Sequence, residues 1–461
     1  MSLGGPGARR AFWCAIPVAA LLAAYLPDLG HGFVKDDFAW ILGSRVGSAS
    51  ELLQLFQRHN GFYRPLVSLT FTLNEQLFGL APFGYGLTNL ALVLVAMAGI
   101  YVLARSLGMV WGIALLAASL WAFNPHGVGG AILWISGRTS LLLIVFALAA
   151  AIALSRGFIV LAAIFCALAL FSKEEAVLLP AILLVWAGLD PLAPRLTWRW
   201  RRARPWAVAA LPPLALYFIL RSQTAAFLPL SAPAYYRLTF SASTVARNAL
   251  EYADRSCTFM AAVVLLMAAA ARRKPRLDAL ERGWAVRGLV WLAGGFGITL
   301  FIPVRSSLYA CFPAVGAAIA AAAVAHSVWR QASPRTRNAL KVAAAILPFA
   351  LVSLHRSRNV RMVRTAELSA SVLDEVQAHA PELAAGHVLV LHDDAAARVN
   401  IRNAFGTLIT DAVRLRTGLP SPLVWVEPVL PEWQQAGVEM PRGGPAIHLE
   451  LKDGRLAPIT P

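Results

Sequence analysis

Two adjacent carboxylates, Asp36 and Asp37, lie in the stretch GHGFVKDDFAWI directly after the first apolar run, among Phe33, Val34, Phe38, Trp40 and Ile41. A carboxylate among apolar side chains has its charged form destabilised, which moves its pKa toward neutrality and suits it to accept a proton from a hydroxyl. Other charges stand singly between apolar blocks: Arg64 in FYRPL, Glu75 in TLNEQLFG, Arg138 in WISGR, Lys173 with Glu174 and Glu175 in SKEE, and Arg305 in PVRSSLY. A charge inside a bilayer costs on the order of a few kcal/mol unless it is paired or hydrated, so such residues are candidates for function. Two acids at one point with cations around them suit a phosphate leaving group combined with an acid-base step. Arg and Lys hold the phosphate, and a carboxylate also stabilises developing oxocarbenium charge.

The elements that position these residues are membrane helices. The chain has 461 residues, of which 58% are hydrophobic and 14% charged. Its apolar residues come in long blocks rather than amphipathic stripes, which excludes an ordinary soluble domain. A bilayer core about 30 Å thick needs roughly 20 apolar residues per helix. Candidate spans fall at about 11 to 27, 84 to 104, 108 to 124, 139 to 155, 157 to 172, 175 to 190, 206 to 221, 256 to 271, 286 to 304, 307 to 326 and 338 to 355, about eleven in all. The net charge of +17 is carried by short clusters between these blocks, such as Arg9 and Arg10, RLTWRWRRARP from Arg195, RRKPR from Arg272 and RQASPRTR from Arg330. They all fall on one side, which the positive-inside rule makes the cytoplasm. A nucleic-acid role is not expected. The four cysteines are scattered singly, without zinc or disulfide spacing.

Outside, this topology places a long first loop at about 28 to 83, the loop FNPHGVGGAILWISGR, a third loop from Ser222 to Arg255, and a tail from about 356 onward. SASELLQLF offers a capping-box pattern from Ser48 to Glu51, predicting a helix lying flat on the outer leaflet. In the tail, GHVLVLHDD and PLVWVEPV read as strands, while AELSASVLDEVQAHA and VNIRNAFGTLITDAVRLRTG read as amphipathic helices. The expected fold is an all-α polytopic membrane domain over 1–355, with a small C-terminal α/β extracytoplasmic domain over 356–461.

Five stretches, FVKDDFAWI, FYRPLVSLTFTLNEQLFGLAPFGYGLTNLALVL, NPHGVGGAILWISGRTSLL, LALFSKEEAVLLPAILL and RSSLYACFPAVGAAI, occur in order between about residues 33 and 320. Together they resemble the membrane half of the GT-C superfamily of polyprenyl-phosphate-sugar-dependent glycosyltransferases. They look most like the transmembrane-and-TPR-containing O-mannosyltransferases and their bacterial relatives. The resemblance implies a GT-C-like membrane glycosyltransferase in a bacterial inner membrane, with its active site and tail periplasmic. Its donor would be a polyprenyl-phosphate-linked sugar and its acceptor a hydroxyl on a protein, lipid or polysaccharide. The same resemblance implies a general base at Asp36 or Asp37, a donor-phosphate side at Arg64, Arg138, Lys173 and Arg305, and Glu174 and Trp134 close by. Two departures stand out. Family members carry a His-Pro followed by a Glu where Asn124-Pro125-His126 leads here into GVGG, and the α/β tail replaces the TPR array.

Each of these residues also has a structural reading. Asp36 and Asp37 can cap a helix or bind a divalent ion, Arg64 can pair with Glu75, and Arg138 and Lys173 can snorkel to headgroups. Trp134, Tyr309 and Tyr235-Tyr236 can belong to an interfacial belt. His392-Asp393-Asp394 reads as a strand exit rather than a metal cluster. The rival functions are a lipid-sugar transporter or flippase and a non-catalytic scaffold on the same fold.

Overall fold

The computed structural model describes residues 6–58, 61–190, 197–228, 232–394, 396–452 and 454–459, so Arg195 of the predicted basic cluster lies outside the described residues. Each of the eleven predicted spans falls on a helix. Among the described residues eight helices are long and apolar enough to cross a membrane: Gly7–Asp28, Pro82–Ser106, Ile135–Ser155, Trp200–Ser222, Ala242–Ala271, Ala279–Phe301, Ser307–Gln331 and Pro334–Ala378. The other three, Trp111–Ala122, Ile159–Leu170 and Leu179–Gly188, have only 12, 12 and 10 residues. At 1.5 Å per residue they reach about 15 to 18 Å, well short of the hydrocarbon thickness.

Small residues let the helices approach closely. A Cβ on Gly288 would stand 2.5 Å from the Gly316 carbonyl oxygen, and one on Gly294 would stand 2.5 Å from Ile182. The glycines of AGGFG therefore serve helix packing, as apolar bundles without a hydrophobic driving force between helices require.

The boundary expected at 355/356 falls inside a single helix. Pro334–Ala378 runs for 45 residues from the last span into the tail. Beyond it lies a four-stranded sheet with β1 at Val388–His392, β2 at Leu423–Glu427, β3 at Ala446–Lys452 and β4 at Arg455–Pro458. The order is β2-β1-β3-β4, with β1 parallel to both neighbours and β4 antiparallel to β3. The stretch predicted as one amphipathic helix is two, Ile401–Phe405 and Ile409–Thr417. Gly406 separates them at φ 55, a left-handed conformation that ends a helix.

The long segment after the first span supplies three more helices, Asp36–Gly43, Ala49–Gln54 and Pro65–Phe78. The expected cap is present, since Ser48 Oγ accepts from the Glu51 backbone N–H at 3.3 Å. This loop and the tail share one apolar core. Phe38 stacks on Phe405 with ring centroids 5.7 Å apart, and the Lys35 N–H donates to the Ala404 carbonyl at 2.8 Å. The tail therefore packs on the element that carries the two carboxylates.

Candidate active site

Asp36 and Asp37 open the Asp36–Gly43 helix, where acidic side chains complement the helix dipole. Lys35, just before them, adopts φ 50, a backbone conformation that costs a non-glycine residue about 1 to 3 kcal/mol. Several bonds hold the chain there. They are the Lys35 N–H to Ala404 O bond from the tail, the Asp37 N–H to Val34 O bond at 3.1 Å, and the Val34 N–H to Asp37 Oδ2 bond at 2.9 Å.

The two acids have separate surroundings. Asp37 is fully buried, and its Oδ1 accepts from the Ser136 N–H at 2.7 Å and the Ser136 Oγ–H at 2.5 Å. With Oδ2 taken by Val34, both oxygens are engaged, so Asp37 ties the first loop to the WISGR turn. Burial pushes its carboxyl up to about 7, against the pull of these three bonds. Both Asp37 oxygens thus face protein donors, while Asp36 turns to different surroundings.

Asp36 lines a cavity of about 1520 Å³ between the membrane part and the tail, together with Trp134, Tyr235 and Tyr236. Burial raises its pKa, while the charges of Arg64 and Lys35 pull it back down. Among the described residues Trp134 Nε1 is buried without a hydrogen-bond partner, which leaves an indole donor at this wall. The Phe62 and Tyr236 rings meet edge to face at 5.1 Å, and Tyr235 and Tyr236 are 4.7 Å apart. The Val304 N–H donates to Tyr235 O at 3.1 Å, which holds this aromatic loop beside the PVRSSLY segment.

Arg64 does not pair with Glu75, which takes Arg45 instead at 2.6 Å. Its Nε and Nη2 donate to Glu174 Oε2 at 2.9 and 2.7 Å, and its guanidinium lies 4.2 Å from the Phe62 ring centre. Glu174 holds Arg64 beside Asp36 and Tyr236, and in return the Arg64 charge depresses the Glu174 pKa below its usual value despite burial. Arg221 stands 3.8 Å from the other Glu174 oxygen. Lys173 Nζ donates to Ser140 Oγ at 2.8 Å, pairs with Glu175 at 3.0 Å, and lies 5.1 Å from the Tyr309 ring centre. Arg305 contacts Glu251, which also pairs with Arg255 at 3.1 Å. Arg64, Glu175, Tyr236 and Tyr252 all act electrostatically on Tyr309, and Arg64 acts on Asp36, so these groups lie close to one another.

Arg138 corrects the sequence expectation. It is fully buried and lines no part of this cavity. Its Nε donates to Asn89 Oδ1 at 3.0 Å, Nη1 to the Thr70 carbonyl at 3.2 Å and Nη2 to the Tyr85 carbonyl at 3.1 Å, while the Phe71 ring centre lies 4.5 Å from the guanidinium. A fully buried guanidinium with all three nitrogens bonded to protein acceptors and a ring on one face braces the surrounding helices.

Lys35, Arg361, Arg364, Arg398 and Arg402 also line the cavity, and motif spacing does not anticipate them. The signal that could have found them is RSRNVRMVR from Arg356, a row of arginines on the side of the last span where basic residues are not favoured.

No family model matches the chain. Its fold is that of ArnT from Cupriavidus metallidurans. The crystal structure of ArnT bound to undecaprenyl phosphate matches with a TM-score of 0.55 over 96% of this chain and 94% of that one, at 14% identity. The apo form of the same protein gives 0.53 over 96% and 93%. Both expectations of a GT-C-like membrane fold and a small C-terminal sheet hold: this is a multi-pass membrane protein of GT-C-like fold. In sequence, a protein O-mannosyl-transferase of Caenorhabditis elegans is 32% identical over 152 residues, a stretch that makes up 30% of this chain and 22% of the worm protein.

One pH prediction follows from the Asp36 surroundings. If Asp36 accepts a proton, activity rises with pH as Asp36 deprotonates, and burial sets that acid limb above the ordinary carboxylate range. Arg64 lowers the Asp36 pKa, so Arg64→Gln is expected to move the acid limb to higher pH. A pH–rate profile of the variant reads this directly, and an unmoved limb would show that Arg64 does not act on the titrating base.

Proposed function

We propose that the chain is a membrane glycosyltransferase that moves a sugar from a polyprenyl-phosphate donor to an acceptor hydroxyl on the periplasmic face of a bacterial inner membrane. The observation that carries this reading is the placement of Asp36. It is a carboxylate with a raised pKa at the edge of a large cavity, beside the Arg64 guanidinium and walled by Trp134, Tyr235 and Tyr236. ArnT was crystallised with undecaprenyl phosphate and the worm relative is an O-mannosyl-transferase, and both favour a lipid-phosphate sugar as donor.

In this reading the acceptor hydroxyl gives its proton to Asp36 as its oxygen attacks the anomeric carbon. The bond from that carbon to the phosphate oxygen breaks, and the polyprenyl phosphate leaves with the bonding pair. The leaving charge is met by Arg64, whose Nη1 is left over after its two bonds to Glu174, and by Lys173 and Arg305 further along the cluster. A guanidinium whose other edge is locked by a carboxylate is pre-organised, so little entropy is lost when phosphate arrives. Attack opposite the phosphate gives inversion. Membrane lipids surround the spans, and the donor enters laterally between helices.

The test is a transfer assay with the full chain in nanodiscs, using a panel of radiolabelled polyprenyl-phosphate sugars and envelope extract as acceptor. The expected result is Asp36-dependent release of polyprenyl phosphate with label in a covalent product. Movement of labelled lipid between leaflets without any covalent product would replace this reading with transport.

A further inference from the structure

We propose that the acceptor carries an anionic group of the phosphate class, and that Arg361, Arg364 and Arg398 hold this group while the acceptor hydroxyl faces Asp36. The inference rests on the glycosyltransferase reading and assigns a substrate-binding role to the tail.

Unpaired charge sets the arginines that line the cavity apart from the Arg64 cluster. The cations on the membrane side of the site have carboxylate partners: Arg64 has Glu174, Lys173 has Glu175, and Arg305 has Glu251. Those on the tail side mostly lack them. Three carboxylates line the cavity, Asp36, Asp393 and Glu432, and among the described residues Asp36 makes no ion pair. Glu432 is taken by Arg402 at 3.0 Å, and Asp393 accepts from the Ile401 and Arg402 backbone N–H groups at 2.8 and 3.1 Å. Arg361 has only the amide oxygen of Asn403, at 3.5 Å. Among the described residues Arg364 and Arg398 have no hydrogen bond or ion pair, and both are exposed to the cavity they line.

Two elements of different origin supply these three guanidiniums. Arg361 and Arg364 project from the Pro334–Ala378 helix three residues apart, hence on one face. Arg398 comes from the loop between β1 and the Ile401–Phe405 helix. Loose, unpaired guanidiniums crowded at one wall repel one another, and a multivalent oxyanion relieves this while accepting several charge-assisted bonds. They line the same half-open cavity as the proposed base, so a bound anion is positioned relative to Asp36. The donor phosphate is left to the Arg64 cluster, where the guanidinium is already aligned by Glu174. The two sets of cations thus divide donor and acceptor.

The experiment uses the full chain in nanodiscs and the double variant Arg364→Glu with Arg398→Glu. Both residues are exposed, so the variant is expected to keep the wild-type melting temperature. Octyl glucoside and octyl glucoside phosphate serve as soluble acceptors with the same kind of free hydroxyl, and phosphatidylglycerol vesicles serve as the lipid-borne arm. The expected result is preference for the phosphorylated acceptor in the wild type. In the variant, KM for that acceptor should rise by about tenfold or more while KM for the donor stays unchanged. Preference for the vesicle arm over the soluble one places the anion on a lipid, and the reverse places it on a free glycan. Equal use of neutral and phosphorylated acceptors, or a variant that raises the donor KM instead, would overturn the proposal while leaving Asp36-dependent transfer intact. Equilibrium binding of glycerol phosphate supplies a readout that needs no turnover. It should weaken in the double variant and persist in Asp36→Asn. Binding that persists in the double variant would equally overturn it, whereas failure of the glycosyltransferase reading would appear as binding without transfer.

Discussion

Asp36→Asn is expected to lower sugar transfer by about a hundred- to ten-thousand-fold, the range over which a positioned general base contributes. The amide cannot take the acceptor proton, yet it matches the carboxylate in shape, so folding should be spared. Asp37→Asn should behave in the opposite way. Asp37 Oδ1 and Oδ2 both accept, from Ser136 and Val34, and an amide would point its NH2 at one of these donors. A buried donor left facing a donor costs about 1 to 3 kcal/mol. The variant should therefore melt at lower temperature while its folded fraction retains much of its activity. Transfer rates normalised to folded protein, measured alongside thermal melting in detergent, separate the two. Full activity in Asp36→Asn would remove Asp36 from the reaction.

The second large effect is on stability. Arg138→Ala would leave Asn89 Oδ1 and the Thr70 and Tyr85 carbonyls without their donor, and would open a void beside Phe71. The attraction between the Arg138 guanidinium and the buried Asp37 carboxyl would be lost as well. Breaking a buried charged network by removing one partner costs about 3 to 5 kcal/mol. That is a large share of the stability of a typical domain, about 5 to 15 kcal/mol. The expected outcome is loss of folded protein in the membrane fraction, with Arg138→Lys rescuing little, because an ammonium cannot make three divergent planar bonds. Normal yield and melting temperature with selectively weakened donor binding would instead return Arg138 to the donor site.

The contrast between Asp36 and Arg138 shows what the sequence carries and where it stops. The membrane helices were legible because a long apolar run must be buried, and in lipid only a helix satisfies its backbone within the segment. Every predicted span accordingly falls on a helix. The Ser48 cap was legible because its pattern is local. Which of two neighbouring aspartates faces the cavity was not, since this depends on Ser136, 99 residues away in the chain. Arg138 looked available because a sequence does not show that Asn89, Thr70 and Tyr85 converge on it. The pairing of Arg64 with Glu174 rather than Glu75 is likewise a long-range fact, spanning 110 residues. β3 and β4 escaped notice because they sit toward one side of the sheet, where alternation is weak and several residues stay exposed. The cationic wall was overlooked for a different reason. Its arginines lie in a segment assigned to a separate tail domain, whereas the helix continuous with the last span brings Arg361 and Arg364, and the fold of the tail brings Arg398 and Arg402, to the cavity that Asp36 lines.

The central claim is that a lipid-linked phosphate is held next to Asp36 by the Arg64 cluster. The most direct test is photo-crosslinking with a polyprenyl phosphate carrying a diazirine on its first isoprene unit, followed by peptide mapping of the full chain in nanodiscs. The account predicts label on the peptides bearing Arg64, Lys173 to Glu175, Tyr236 or Tyr309, suppressed by unlabelled polyprenyl phosphate. Label confined to the apolar groove lined by Trp13, Trp329 and Leu347, near the other end of the first helix, would contradict it.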